Sequence, residues 1–97
     1  MRLFYRSHLP IAAVLSSAES FFTALGCSTV ATALRGRTFT GPLGTARLTV
    51  KAEGGHYTFV EVNTDQIGES RLDKNVKKFF VTLHRRDEPA HALEAGY

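Results

Sequence analysis

Residues 45–63, TARLTVKAEGGHYTFVEVN, decide how this chain is read. Two runs of strand-forming residues flank Gly54-Gly55, a strong short-range hairpin signal. In the first arm Ala46, Leu48, Val50 and Ala52 alternate with Thr45, Arg47, Thr49 and Lys51. A period of two in a strand means one apolar face and one wet face, here partly basic. The second arm, from His56 to Val62, is rich in aromatic and β-branched residues and reads as the partner strand. An apolar sheet face needs a covering layer, and the rest of the chain supplies one.

On the N-terminal side, Arg2 to His8 alternates Leu3, Tyr5 and Ser7 with Phe4, Arg6 and His8, which predicts a short strand. Pro10 suits the first turn of a helix, where its missing N–H is not needed. From there Ile11, Val14, Leu15, Ala18, Phe22 and Leu25 recur at three- and four-residue steps, one apolar helical face about four turns long. Gly26 stands where a left-handed C-terminal cap is expected. Ser28 to Arg35 reads as a strand, Gly36 as a turn and Arg37 to Thr40 as a short strand. Gly41-Pro42-Leu43-Gly44 reads as a loop leading into the hairpin.

On the C-terminal side, Thr64 to Gly68 has polar turn chemistry, and Ser70-Arg71-Leu72-Asp73 approximates a capping box with Asp as its acid. Leu72, Val76, Phe79, Phe80 and Leu83 then define a second apolar face. Glu69 and Asp73 at its start and Arg85 and Arg86 at its end follow the helix dipole. Asp73 and Lys77 are spaced to pair along that helix. Alternation of Phe79, Val81 and Leu83 offers a strand over Lys78 to Arg85 as the rival; the cap and the charge order favour helix. Pro89 ends the element, so residues 1–88 are expected to form a single α+β domain and residues 89–97 a flexible tail.

The expected fold is a two-layer α+β arrangement: an antiparallel sheet of four to five strands with two amphipathic helices on one face, in the order β-α-β-β-β-β-α. That order resembles one repeat of the TATA-binding-protein-like fold and, less closely, a truncated helix-grip domain. The resemblance is one of element order and brings no functional residues with it.

Composition sets outer bounds. The 97 residues are 43% hydrophobic and 22% charged, ordinary for a globular protein, and a formal net charge of +3 is only mildly basic. One cysteine, Cys27, cannot build an intramolecular disulfide and fits a reducing compartment. Arg2 and Arg6 precede the apolar run Leu9 to Leu15, and Ala24-Leu25-Gly26-Cys27 faintly resembles a lipoprotein cleavage site. Ser16, Ser17, Glu19 and Ser20 interrupt the apolar run, so a secretory core does not form. No stretch approaches the roughly 20 apolar residues of a membrane helix. The expectation is a cytoplasmic protein that does not enter the membrane.

The first candidate site is the wet sheet face, where Arg35, Arg37, Arg47 and Lys51 are expected to project from neighbouring strands, with Thr29, Thr49 and Tyr57 nearby. Such a face can track phosphates, with Tyr57 or Phe59 stacking on a base if their parity points outward. It is also what any solvated sheet face contains. Lys74, Lys77, Lys78, Arg85 and Arg86 form a second basic row, fitted to an acidic partner or simply to solvent. Of the four histidines, His8, His56, His84 and His91, none has a metal-ligand spacing, although His8 and His56 can meet if their strands adjoin. Cys27 follows a helix C-terminus, where the dipole does not activate a thiol. No nucleophile motif, glycine-rich phosphate loop or HExxH is present, so neither catalysis nor a cofactor is expected. The leading reading is a non-enzymatic binding module that forms a homodimer by covering the open sheet face or its edge strands, with outward apolar residues such as Phe4, Tyr57 or Phe59 losing exposure in the assembly. Single-stranded nucleic-acid binding through the sheet face follows, and a small-ligand site between helices and sheet comes third.

Overall fold

A computed structural model describes residues 1–87; the tail expected over 89–97 lies outside them. The elements are β1 (Arg2–Ser7), α1 (Ile11–Ala24), β2 (Ser28–Ala33), β3 (Gly36–Gly41), β4 (Gly44–Glu53), β5 (Tyr57–Thr64) and α2 (Arg71–Asp87). This is the expected β-α-β-β-β-β-α order. All strand pairs are antiparallel, and the sheet runs β1-β5-β4-β3-β2, so β1 and β2 are its edges.

The alternation read in residues 45–63 sets the layering. Leu48 pairs with Val62 and Val50 with Val60, all four buried under the helices, while Arg47, Thr49 and Lys51 are exposed on the opposite face. Both helices press onto the apolar face. From α1, Phe22 stacks on Phe39 of β3 with ring centres 4.7 Å apart and lies 5.5 Å from Phe79 of α2. Val14, Ala18, Leu72, Val76 and Leu83 complete the buried layer. Burying each such large side chain contributes about 1.5–3 kcal/mol.

Helix α1 ends as Gly26 predicts. Its φ of +95° lets the Gly26 N–H reach the Thr23 carbonyl (3.0 Å) and the Cys27 N–H the Phe22 carbonyl (2.9 Å). These two bonds satisfy carbonyls that a helix end otherwise leaves open. Cys27 is tucked under the sheet, and burial pushes its thiol pKa up.

The turns differ from expectation in two places. The strand read over Ser28 to Arg35 stops at Ala33; Leu34 and Arg35 form a two-residue turn, and Gly36 pairs with Ala33 as the start of β3. The Arg37 side chain fixes this turn by donating to the Ala33 carbonyl (2.6 Å) and the Gly36 carbonyl (2.7 Å). The loop expected over residues 41–44 shrinks to Pro42-Leu43, because Gly41 and Gly44 pair as strand ends. At Gly44, with φ of +130°, a Cβ would stand 2.6 Å from Asp65 Oδ1, so backbone and loop approach here as only glycine allows.

Helix α2 takes the helical reading throughout, excluding a strand over Lys78 to Arg85. Its capping box closes in both directions: the Asp73 N–H donates to Ser70 Oγ (3.1 Å) and the Ser70 N–H to Asp73 Oδ2 (3.3 Å). The expected Asp73–Lys77 pair is absent. Asp73 is turned inward and fully buried, where Ser70 Oγ and Thr64 Oγ1 donate to it at 2.7 and 2.8 Å, and Lys77 instead pairs with Glu69.

That inward carboxylate ties the start of α2 to the end of β5 and gives the fold a pH dependence. Burial pushes the Asp73 carboxyl up, but the hydrogen bonds from Ser70 and Thr64 outweigh it and hold the pKa below its ordinary 3.8. A depressed folded pKa stabilises above the unfolded value and ceases to do so as pH falls through the folded one. Asp73→Asn is expected to cost about 1–3 kcal/mol at neutral pH. The same change should flatten the loss of stability below about pH 4, as measured by urea unfolding across a pH series.

Candidate interaction surfaces

Because both helices sit on one face, the other face of the sheet is open. Alternation within β1, which pairs Arg2 with Asn63, Phe4 with Glu61 and Arg6 with Phe59, puts Arg2, Phe4 and Arg6 on that face beside Phe59, Glu61 and Lys51. The rings of Phe4 and Phe59 stack at 5.7 Å. The Arg6 guanidinium lies 5.3 Å from the centre of Phe59 and the Lys51 ammonium 5.4 Å, so one ring is held between two cations. Arg2 pairs with Glu61 and Arg6 with Glu53, each at 2.7 Å. Hydrogen bonds from Asn63 and Arg2 hold the Glu61 carboxyl below the usual range. Arg2, Arg6, Lys51, Glu53, Phe59 and Glu61 rim a shallow concavity of about 330 Å³.

The residues read as a basic sheet face are only partly brought together. Arg47 and Lys51 do project from β4 on the open side, and Tyr57 is exposed on β5, its ring 4.8 Å from that of His8. Arg35 is exposed in the β2–β3 turn rather than on a strand. Arg37 is on the other face: it pairs with Leu48 across β3–β4, its side chain is only 15% exposed, and its Nε lies 3.8 Å from Glu19 of α1. It shares the parity of Phe39, two residues on, whose ring is fully buried. Arg37 is a clasp for the β2–β3 turn, not a surface cation.

Arg2, Arg6, Glu53 and Glu61 were not expected at this face, whereas Phe4 points outward as expected. The alternation in β1 contained half of the signal, since Arg2, Phe4 and Arg6 share one parity. The missing half is that the first strand pairs with the last, a long-range fact that no local pattern carries. His8 packs on Tyr57, while His56 is in the loop between β4 and β5. Among the described residues no group of three metal-ligating side chains converges. No helix among them is long and apolar enough to cross a membrane.

The second surface is the β2 edge. All six of its residues, STVATA, are exposed, and none is charged. A bulge interrupts its pairing with β3 between Thr29 and Ala31, leaving Val30 57% exposed; Leu34, in the adjoining turn, is 88% exposed. At the opposite edge β1 bears Arg2 and Arg6, the kind of charge that blunts a strand edge.

No model of a known protein family matches the sequence, and comparison with curated proteins finds no match. The two surfaces are therefore interpreted from their own chemistry.

The placement of Arg37 gives a direct check. Arg37→Ala is expected to cost about 2 kcal/mol by removing two charged hydrogen bonds to the turn. Arg47→Ala, on an exposed open-face residue, should change stability by less than about 0.5 kcal/mol. Thermal or urea unfolding of the two variants distinguishes clasp from surface cation.

Proposed function

We propose that this protein is a non-enzymatic interaction module that works in the cytoplasm as a homodimer, its two copies joined along β2. The observation that carries the reading is the uncharged, fully exposed β2 edge. An edge strand presents unpaired N–H and C=O groups, and evolution usually guards it with charge, proline or a cover. Here only the bulge near Val30 does so. Antiparallel pairing about a two-fold axis through Thr32 sets Ala31 against Ala33 of the second copy and brings the exposed Val30, at the bulge, near the exposed Leu34 of the turn. The edge is thus complementary to itself, as an isologous contact requires. With β1 guarded by Arg2 and Arg6, one edge per chain is open, and assembly closes at two. The buried, unactivated Cys27 thiol accords with a reducing compartment.

A second reading, single-stranded nucleic-acid binding on the open face, has one observation in its favour. Phe59 lies between Arg6 and Lys51, with Arg47 and Tyr57 on the same side, a combination that suits base stacking beside phosphates. Glu53 and Glu61 stand on the same face and neutralise Arg6 and Arg2, which weighs against a polyanion. The small-ligand reading gains nothing from the layer interface, which Phe22, Phe39 and Phe79 fill.

The homodimer is tested by light-scattering mass across a concentration series. Wild type should approach twice the chain mass of 10.7 kDa. Leu34→Asp, which buries a charge against Val30, and Thr32→Glu, which opposes two carboxylates across the axis, should shift the mass to that of one chain. A wild type that stays monomeric at every concentration, or variants that dimerise unchanged, would refute the reading.

A further inference from the structure

We propose that the helix layer carries a docking concavity for an acidic, leucine-bearing peptide segment of a partner protein. The depression has a volume of about 530 Å³ and is bounded by Leu25 at the end of α1, the Pro42-Leu43 turn and the first half of α2. Its basic wall is Arg71, Lys74 and Lys78, all exposed; its apolar floor is Leu25, Pro42 and Leu43. Asn75 is the one other lining residue, its amide donating to the Arg71 carbonyl at 2.8 Å.

Three features of this row bear on what it binds. The first is pairing. Arg2, Arg6, Arg37 and Lys77 each have a carboxylate partner, whereas among the described residues Arg71, Lys74 and Lys78 form no ion pair, and the depression contains no acid. Glu69, the exposed carboxylate at this end of α2, accepts a hydrogen bond from Lys77, and Lys74 acts on it only through charge. The second is repulsion within the row: residues 71 and 74 are three apart and 74 and 78 four apart, the spacings at which like charges on a helix face oppose each other. The third is position, because Arg71 and Lys74 stand in the first turns of α2, where the helix dipole disfavours cations. A stability role explains none of these, and an anionic partner relieves all three.

The shape selects the class of anion. The row extends about 10 Å along the helix, so its charges do not converge on one point as a phosphate site requires. Spread cations beside an apolar floor match spaced carboxylates on a chain that also presents aliphatic side chains. The volume is of the size that holds several residues' side chains rather than a lone ion.

The test is fluorescence anisotropy of a fluorescein-labelled peptide of glutamate and leucine against the full chain. Binding is expected at low salt and should weaken as salt screens the row. The double variant Lys74→Glu with Lys78→Glu should weaken it at least about tenfold. Leu43→Ser should weaken it at unchanged net charge. Arg47→Glu with Lys51→Glu, the same charge change on the other side of the sheet, should leave affinity within about twofold. Circular dichroism confirms that each variant is folded. Absence of binding, equal loss in the Arg47/Lys51 variant, indifference to Leu43→Ser, or displacement of the peptide by inorganic phosphate at matched ionic strength would each overturn the proposal.

Discussion

The contact between Phe22 and Phe39 is what the rest of the structure depends on. Phe22 comes from the one long apolar stripe of α1, Phe39 from the inward face of β3, and their rings stack nearly parallel at 4.7 Å. Phe79 of α2 packs against the same ring of Phe22. A single side chain therefore joins both helices and the sheet, and it fixes which sheet face is covered. Once both helices are committed to that face, no described element covers the other face of the sheet or the outer edge of β2. The surface available for interaction is a consequence of how the core is filled.

Local patterns carried the reading as far as they reach. The alternation from Thr45 to Asn63 was legible because one face is buried for the length of the hairpin, which ties parity to hydrophobicity. The capping box at Ser70 was legible because its chemistry is confined to four residues. The β2–β3 turn was not, since Leu34-Arg35 has no glycine, proline or asparagine to mark it; the face of Arg37 was within reach, because it shares the parity of Phe39, whose ring is in the core. The pairing of Arg2 with Glu61 and of Arg6 with Glu53 was not legible either. It requires β1 to lie beside β5, a neighbour relation between residues more than forty apart in sequence. Asp73 shows the same limit: its spacing to Lys77 suggested a surface pair, but Thr64, from another element, draws it inward.

The two edges of the sheet are unlike in a way that bears on assembly. β1 presents Arg2 and Arg6, held by Glu61 of β5 and Glu53 of β4, with α2 packed against the strand. β2 presents serine, threonine, valine and alanine. A chain with two open edges risks open-ended polymerisation, and one with none gains nothing from strand pairing. One guarded edge and one bare edge is the combination that favours a closed pair. The basic depression is lined from α1, the β3–β4 turn and α2, and no residue of β2 lines it.

A homodimer of this kind requires β2 to be covered by a second copy, and amide hydrogen exchange of Ser28–Ala33 measured at low and high protein concentration tests this most directly. Amides of β2 that point away from β3 should exchange rapidly in dilute solution and become protected as concentration rises, while those of β4 and β5 remain protected throughout. Exchange at β2 that is fast and independent of concentration would contradict the account.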